Sequence, residues 1–288
     1  MLAHEFVRNA FLAGGVIAVA SGLVGYFVVL RSQVFAGDAL SHVAFTGALA
    51  AAAAGVDLRV GLFAATAAVA VGMGALGERA RADDVTIGSV FAWVLGLGVL
   101  FLTIFTGGAS SANGAVGARV LFGSIYGLSA GDAWLAAAIG AGVCAFTLLL
   151  ARPLLFASLD PSVARGRGLP VRLLGVAFLV LVGVDAAEAT QAVGALLLLG
   201  LLAAPAGAAQ RLTADPYVAL GLSAALALAA TWVGLTLAYL IPSLPPSFAV
   251  IALATLIYLA ATLVGRDRSP SGQSREPARG SPAPESTR

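Results

Sequence analysis

Residues 35–47 read Phe35-Ala36-Gly37-Asp38-Ala39-Leu40-Ser41-His42-Val43-Ala44-Phe45-Thr46-Gly47. Here a carboxylate and an imidazole stand together inside an otherwise apolar, glycine- and alanine-rich helical run. Asp38 and His42 are four residues apart, so a helix stacks them on one face, one turn from each other. An ionisable group in hydrocarbon costs roughly 2.5 kcal/mol or more, and such groups turn toward a bundle interior or an ion path. Carboxylate oxygen and imidazole nitrogen both bind divalent metals, which makes the pair a candidate meeting point for a metal ion crossing a membrane. A plainer reading fits the same residues. Asp38 follows Gly37 and precedes an apolar run, where an N-cap aspartate belongs, and His42 is then an interior residue with its bonds satisfied.

The rest of the chain decides where this helix lies. Of 288 residues, 60% are hydrophobic and 10% charged, and the mean hydropathy is +0.98. Soluble domains carry about 25% charged residues, so the expected fold is all-α, a polytopic integral membrane helix bundle. All 16 basic residues are arginine. A Walker A phosphate loop needs its lysine on the nucleotide phosphates, so ATP hydrolysis by that route is excluded for this chain. The single Cys144 lies in an apolar run and excludes an intrachain disulfide or a thiolate metal cluster. The net charge of +2 comes from scattered arginines rather than a basic patch, which argues against a nucleic-acid partner.

About eight to nine spans are expected along the chain. Residues 9–30 form the first; the length of the run, with Arg31 directly after it, separates it from a cleaved signal peptide. Gly14, Gly15, Gly22 and Gly25 lie at spacings that allow close helix packing. After the Arg31-Ser32-Gln33 break, the Asp38–His42 helix runs to about residue 55. Further spans are expected at about 60–76, 86–106, 131–150, 172–186, 191–210, 217–240 and 247–264. The polar break at residues 78–84 reads as a solvated loop, with Asp83-Asp84 at a helix N-terminus. The segment 107–129 is too short and polar for a clear span and reads as a re-entrant or interfacial piece. Asp132 is expected to cap the fifth span and Arg152-Pro153 to end it. Asp185 and Glu188 are expected between the sixth and seventh spans, on the outer side if the basic loop is inside, where they either screen or attract incoming cations or, as the commoner case, are solvated helix ends. Pro205 falls inside the seventh run, where membrane helices tolerate it with a local kink. Residues 266–288 are rich in Arg, Ser, Pro, Gly and Glu and read as a disordered tail, leaving 1–265 as one transmembrane domain.

Residues 151–170 differ from everything around them. Asp160-Pro161 opens a short run that closes at Gly168-Leu169-Pro170, and Arg152, Arg165, Arg167 and Arg172 cluster here. The positive-inside bias places this loop in the cytoplasm. Its length and local signals predict one or two short helices outside the membrane, a platform for a cytoplasmic partner. Alternation from this loop puts Arg31, Arg79, Arg81, Arg211, Arg266 and the C-terminus inside, and the N-terminus outside.

Three of these stretches together resemble one family, the membrane permease subunit of metal-importing ABC transporters, or ABC-3 type. Gly37-Asp38-Ala39-Leu40-Ser41-His42 is similar to that family's Gly-Asp-x-x-x-His signature. Leu159-Asp160-Pro161 with Ala164 and Gly168-Leu169-Pro170 resembles its ATPase-facing coupling segment. Gln191-Ala192-Val193-Gly194-Ala195-Leu196-Leu197, continuing through Pro205-Ala206, is similar to its Val-Gly-x-Leu-Leu…Pro-Ala helix. The resemblance covers about residues 5–265. It implies a type II ABC importer-like bundle, acting as a homodimer in the bacterial cytoplasmic membrane with two cytoplasmic ABC ATPase subunits. A metal-binding lipoprotein or periplasmic binding protein is implied outside the cell. Asp38 and His42 become the metal ligands, and Asp160, Pro161, Ala164, Gly168, Leu169 and Pro170 the ATPase-coupling residues. Zinc, manganese and iron(II) all accept this donor set. The metal is cargo, and no permanently bound cofactor is expected.

Three rival readings stand beside this one. An ion-gradient-driven secondary transporter would need carboxylates in several spans and often inverted repeats. An ABC permease for a chelated metal needs a wide cavity and no direct ligands, which the Asp38–His42 pair argues against. A non-transporting scaffold would reduce that pair to a cap and a filler.

Overall fold

Nine long apolar runs become nine long helices among the described residues. The computed structural model describes residues 4–76, 84–107, 123–195 and 198–266. In chain order these form α1 (Glu5–Leu30), α2 (Val34–Ala53), α3 (Leu58–Leu76), α4 (Asp84–Gly107), α5 (Ala130–Leu159), α6 (Pro161–Gly166), α7 (Val171–Val193), α8 (Leu198–Leu212), α9 (Pro216–Leu240) and α10 (Pro246–Arg266). A single 3-10 turn, Ile125–Gly127, precedes α5. The described residues contain no strand. By length and composition α1, α2, α3, α5, α7, α9 and α10 can each cross a membrane, which is the architecture of a multi-pass membrane protein. At 15 residues, α8 is shorter than the roughly 20 that a span needs. Most of the 78–83 break, the core of the 107–129 segment (residues 108–122) and the tail from residue 267 lie outside the described residues.

The bundle is built around α1, which packs against α5, α7, α8 and α9. Between apolar helices in lipid there is little hydrophobic force to exploit, so close approach through small residues supplies the attraction. The glycines of α1 do this as their spacing predicts: Gly22 lies on the backbone of Ser223 and Ala224 in α9, and Gly25 on the carbonyl of Leu202 in α8. The α2–α3 hairpin closes in the same way. A Cβ on Gly47 or Gly61 would run into the other's carbonyl oxygen. Helix α3 packs on α7, α4 lies on α2, and α10 covers α8 and α9.

Three boundaries differ from expectation. Arg152-Pro153 does not end the fifth span; α5 continues to Leu159 with Pro153 inside it. Proline in a helix interior costs about 3 kcal/mol, but Leu154, Leu155 and Ala157 beyond it are buried, and each fully buried large apolar side chain is worth about 2 kcal/mol. Asp132 is not the N-cap of α5. Ser129 is, and Asp132 completes the capping box as the third helical residue. The third difference concerns Asp185 and Glu188, which are neither solvated nor terminal. Helix α7 runs through them to Val193, and they are 2% and 3% exposed. The helix stops instead at Gly194, whose φ of +92° suits only glycine. This later break shortens α8.

Candidate functional site

The Asp38–His42 helix starts earlier than its glycine suggests. The turn between α1 and α2 falls at Ser32, with φ of +53°, and Gln33 is the N-cap residue of α2. Asp38 therefore lies inside the helix and cannot cap its free N–H groups, so the capping reading is overturned. The turn is held by Arg31. Its Nε donates to Gln33 Oε1 at 3.2 Å and its Nη1 to Ser158 Oγ at 3.2 Å, while the guanidinium stacks over the Phe178 ring at 5.4 Å. These contacts tie the start of α2 to the ends of the bundle that carry α6.

Height in the bundle follows from α7. A methyl group on Gly37 would sit 3.9 Å from Val182 Cγ1, and Val182 has eleven residues of α7 on either side. Gly37, and Asp38 next to it, thus lie level with the middle of α7, one turn into α2. His42 Nε2 stands 3.9 Å from Asp38 Oδ1, with 12% and 27% of the respective side chains exposed. That distance is too long for a hydrogen bond, so the lone pairs of both groups remain available to a third party. Ser41 between them is buried and donates its hydroxyl to the Asp38 carbonyl at 2.7 Å, away from the carboxylate.

On the face of α2 that carries the pair, exposure falls along the helix from Phe35 to His42. Phe35, one turn before Asp38, is 82% exposed. Helix α4 borders this face: Phe91 meets the His42 ring edge-on, and Thr46 Oγ1 donates to the Val94 carbonyl at 3.0 Å. Among the described residues, no three His, Cys, Asp or Glu side chains gather into a metal cluster. One chain therefore places two groups of metal-ligand type, a carboxylate and an imidazole, on this face of α2. A hollow of about 230 Å³ between the 3-10 turn and the start of α10 includes neither Asp38 nor His42.

The six residues expected to couple to an ATPase shape α6 and its junctions. Asp160 caps the helix, its Oδ1 accepting from the Ser162 and Val163 N–H groups at 3.1 and 3.0 Å and from the Ser162 hydroxyl at 2.6 Å. That hydroxyl and the two N–H groups hold the carboxyl below the usual aspartate range. Pro161 occupies the first turn, where its missing N–H costs nothing. Ala164 is fully buried. Gly168, at φ +80°, closes the helix in a Schellman arrangement, with Gly168 N–H on Arg165 O and Leu169 N–H on Ala164 O. Leu169 packs against the core, and Pro170 leads into α7. Exposed Leu159 and Val163 form the apolar part of the outward surface.

A second polar group was missed by sequence reasoning, which took its members for helix ends. Asp185, Glu188 and Gln191 stand at intervals of three along α7. Ser21 of α1 donates to Asp185 Oδ1 at 3.3 Å. Arg59 of α3 donates to Gln191 Oε1 at 3.0 Å and pairs with Asp132 of α5 at 2.9 Å.

Helices of this length and apolarity define a multi-pass membrane protein, and α2 carries a carboxylate and an imidazole, donor types that bind divalent cations. The sequence profile of the ABC 3 transport family matches residues 3–265, and the chain belongs to that family. Membership makes it a transporter subunit rather than a catalytic enzyme. Manganese transport system membrane protein MntC of Listeria monocytogenes is 26% identical over 264 residues, covering 91% of this chain and 92% of that one. A probable iron transport system membrane protein of Haemophilus influenzae is 29% identical over 240 residues, covering 83% and 86%. The solved structure of PsaBC from Streptococcus pneumoniae in complex with Fab superimposes with a TM-score of 0.77 at 24% identity, over 90% of this chain and 91% of that one; this likeness concerns the fold. Buried carboxylates in a second helix remove one objection to a gradient-driven transporter, but the family match carries the ABC reading.

Proposed function

We propose that this chain is the permease subunit of an ABC importer that moves a divalent transition-metal ion across the bacterial cytoplasmic membrane. Manganese is the first choice of cargo, with iron(II) and zinc as the alternatives. The observation that carries the reading is the Asp38–His42 pair, 3.9 Å apart on one face of α2 and level with the middle of α7. A mixed oxygen and nitrogen set suits these ions, and the choice among them rests on geometry and supply. Names borne by the relatives support manganese and iron.

Two ligands are too few to strip and hold a hydrated ion. The active form is therefore a homodimer in which a two-fold axis brings two Asp38–His42 pairs to one central path. Phe35, exposed on the face of α2 that also carries Asp38 and His42, marks the surface this axis would use. Energy comes from a separate ATPase seated on α6 at the cytoplasmic face, and residues 151–170 form the coupling segment within a permease domain of 1–265. A binding protein outside the membrane, a lipoprotein or a periplasmic protein, delivers the ion. The test is uptake of radioactive manganese by cells producing this chain with its ATPase, competed by iron(II) and zinc. Manganese accumulation that depends on both subunits supports the reading; accumulation without the ATPase contradicts it.

A further inference from the structure

Asp185 and Glu188 are deeply buried, and one oxygen of each, Asp185 Oδ2 and Glu188 Oε2, has no hydrogen-bond partner. A buried carboxylate oxygen left unpaired costs several kcal/mol unless the group is neutralised or paired. The two residues are three apart on α7, so their side chains share a face. That face continues outward through Gln191 to the Arg59–Asp132 ion pair, which is partly exposed. Asp185 and Gln191 are separated by about 9 Å of helix rise, so the stripe runs inward from an accessible end.

The charges do not cancel. Among the described residues, Asp132, Asp185 and Glu188 set three carboxyls against the guanidinium of Arg59, which is committed to Asp132 and Gln191. With both inner carboxyls ionised the surplus is two negative charges, so protons or a cation must sit at the unpartnered oxygens.

We propose that Asp185 and Glu188, with the hydroxyl of Ser21, form a second site for a hard divalent cation inside a single protomer. Two carboxylates and one hydroxyl present up to five oxygens, the donor type that suits manganese(II), calcium or magnesium rather than zinc. Water entering past Gln191 supplies the rest. The site is separate from the Asp38–His42 pair: it faces α1, α3 and α5, while His42 faces α4. It needs no second copy of the chain, and its existence does not depend on the assignment of Asp38 and His42.

The test uses the full-length chain in lipid nanodiscs and manganese(II) chloride alone, with bound metal counted after equilibrium dialysis. In an Asp38→Asn/His42→Ala background, about one manganese per chain is expected to remain. Adding Asp185→Asn and Glu188→Gln should weaken that binding more than about 100-fold, beyond what loss of an outer-shell partner alone costs. No bound manganese in the first variant, or unchanged binding in the second, overturns the proposal. Should the fourfold variant fail to insert, infrared spectra of the Asp38→Asn/His42→Ala protein decide. Added manganese converting buried carboxylic acid absorption to carboxylate supports the site, and no change means that the pair holds only protons and the proposal falls.

Discussion

The imidazole of His42 meets the ring of Phe91 edge-on, with centroids 5.1 Å apart and planes at 82°. This contact joins the candidate metal ligand to α4, the helix that borders its face of α2. An aromatic pair of this geometry is worth about 0.5–1.5 kcal/mol. Phe91→Ala should therefore lower manganese affinity about two- to tenfold by freeing the imidazole, while Phe91→Tyr keeps the ring and most of the affinity. Isothermal titration of the purified variants checks this. Equal affinity in Phe91→Ala would mean that α4 does not orient the site.

Arg31 is a second device acting at a distance from the metal ligands. Its guanidinium bonds Gln33 and Ser158 and covers Phe178, so it fixes where α2 begins and thus the height of Asp38. Hydrogen bonds from charged groups contribute about 1.5–3 kcal/mol. Arg31→Ala should destabilise the protein by about that amount in thermal unfolding in detergent. Arg31→Lys should recover only part of it, since an ammonium cannot supply the planar fork and the stack together.

The dimer is tested through Phe35. With Cys144 replaced by Ala, Phe35→Cys should crosslink between two copies, because the residue is 82% exposed on the stripe that carries Asp38. Leu149→Cys, also on an exposed face but on α5, should not. Crosslinking at residue 149 and none at residue 35 would place the dimer axis elsewhere.

For coupling, the buried position of Ala164 changes which variant is informative. A large charged residue there breaks α6 itself, whereas Val163→Glu alters only the exposed face. Val163→Glu should leave the chain inserted and folded while reducing ATPase retention and uptake together, measured by pull-down and by metal uptake. The Asp160 cap sets the pH dependence. Its carboxyl is held below the ordinary range by Ser162 and the N–H groups of α6, so the cap is fully present at neutral pH and lost only as pH falls through that lowered value. Asp160→Asn should keep the helix and flatten this acid sensitivity, since Asn caps about as well.

Much of this architecture is legible in the residues, for a physical reason. Long apolar runs separated by arginine, proline and glycine can only be helices in lipid, and so all nine long helices appear near their expected places. What failed was the reading of charge. Asp185 and Glu188 were placed at helix ends because ionised groups belong in water, yet α7 buries both beside Ser21 and Arg59. Gly194 marked the true break. Gly37 misled in the opposite sense: it suggested a helix start at Asp38, but a glycine inside an apolar helix also serves close packing, here near Val182 and Leu202. The ties of Arg59 to Asp132 and Gln191, and of Arg31 to Ser158, join residues far apart in the chain and carry no local signal.

The central claim is that Asp38 and His42 touch the transported ion, and uptake of radioactive manganese by cells carrying Asp38→Asn tests it most directly. Asn has nearly the shape of Asp but no charge, so a merely structural Asp38 would survive the change. The account predicts uptake at background with normal protein levels, the same loss for His42→Ala, and little effect of Ser41→Ala, whose hydroxyl serves only the Asp38 carbonyl. Wild-type uptake by Asp38→Asn would contradict the account.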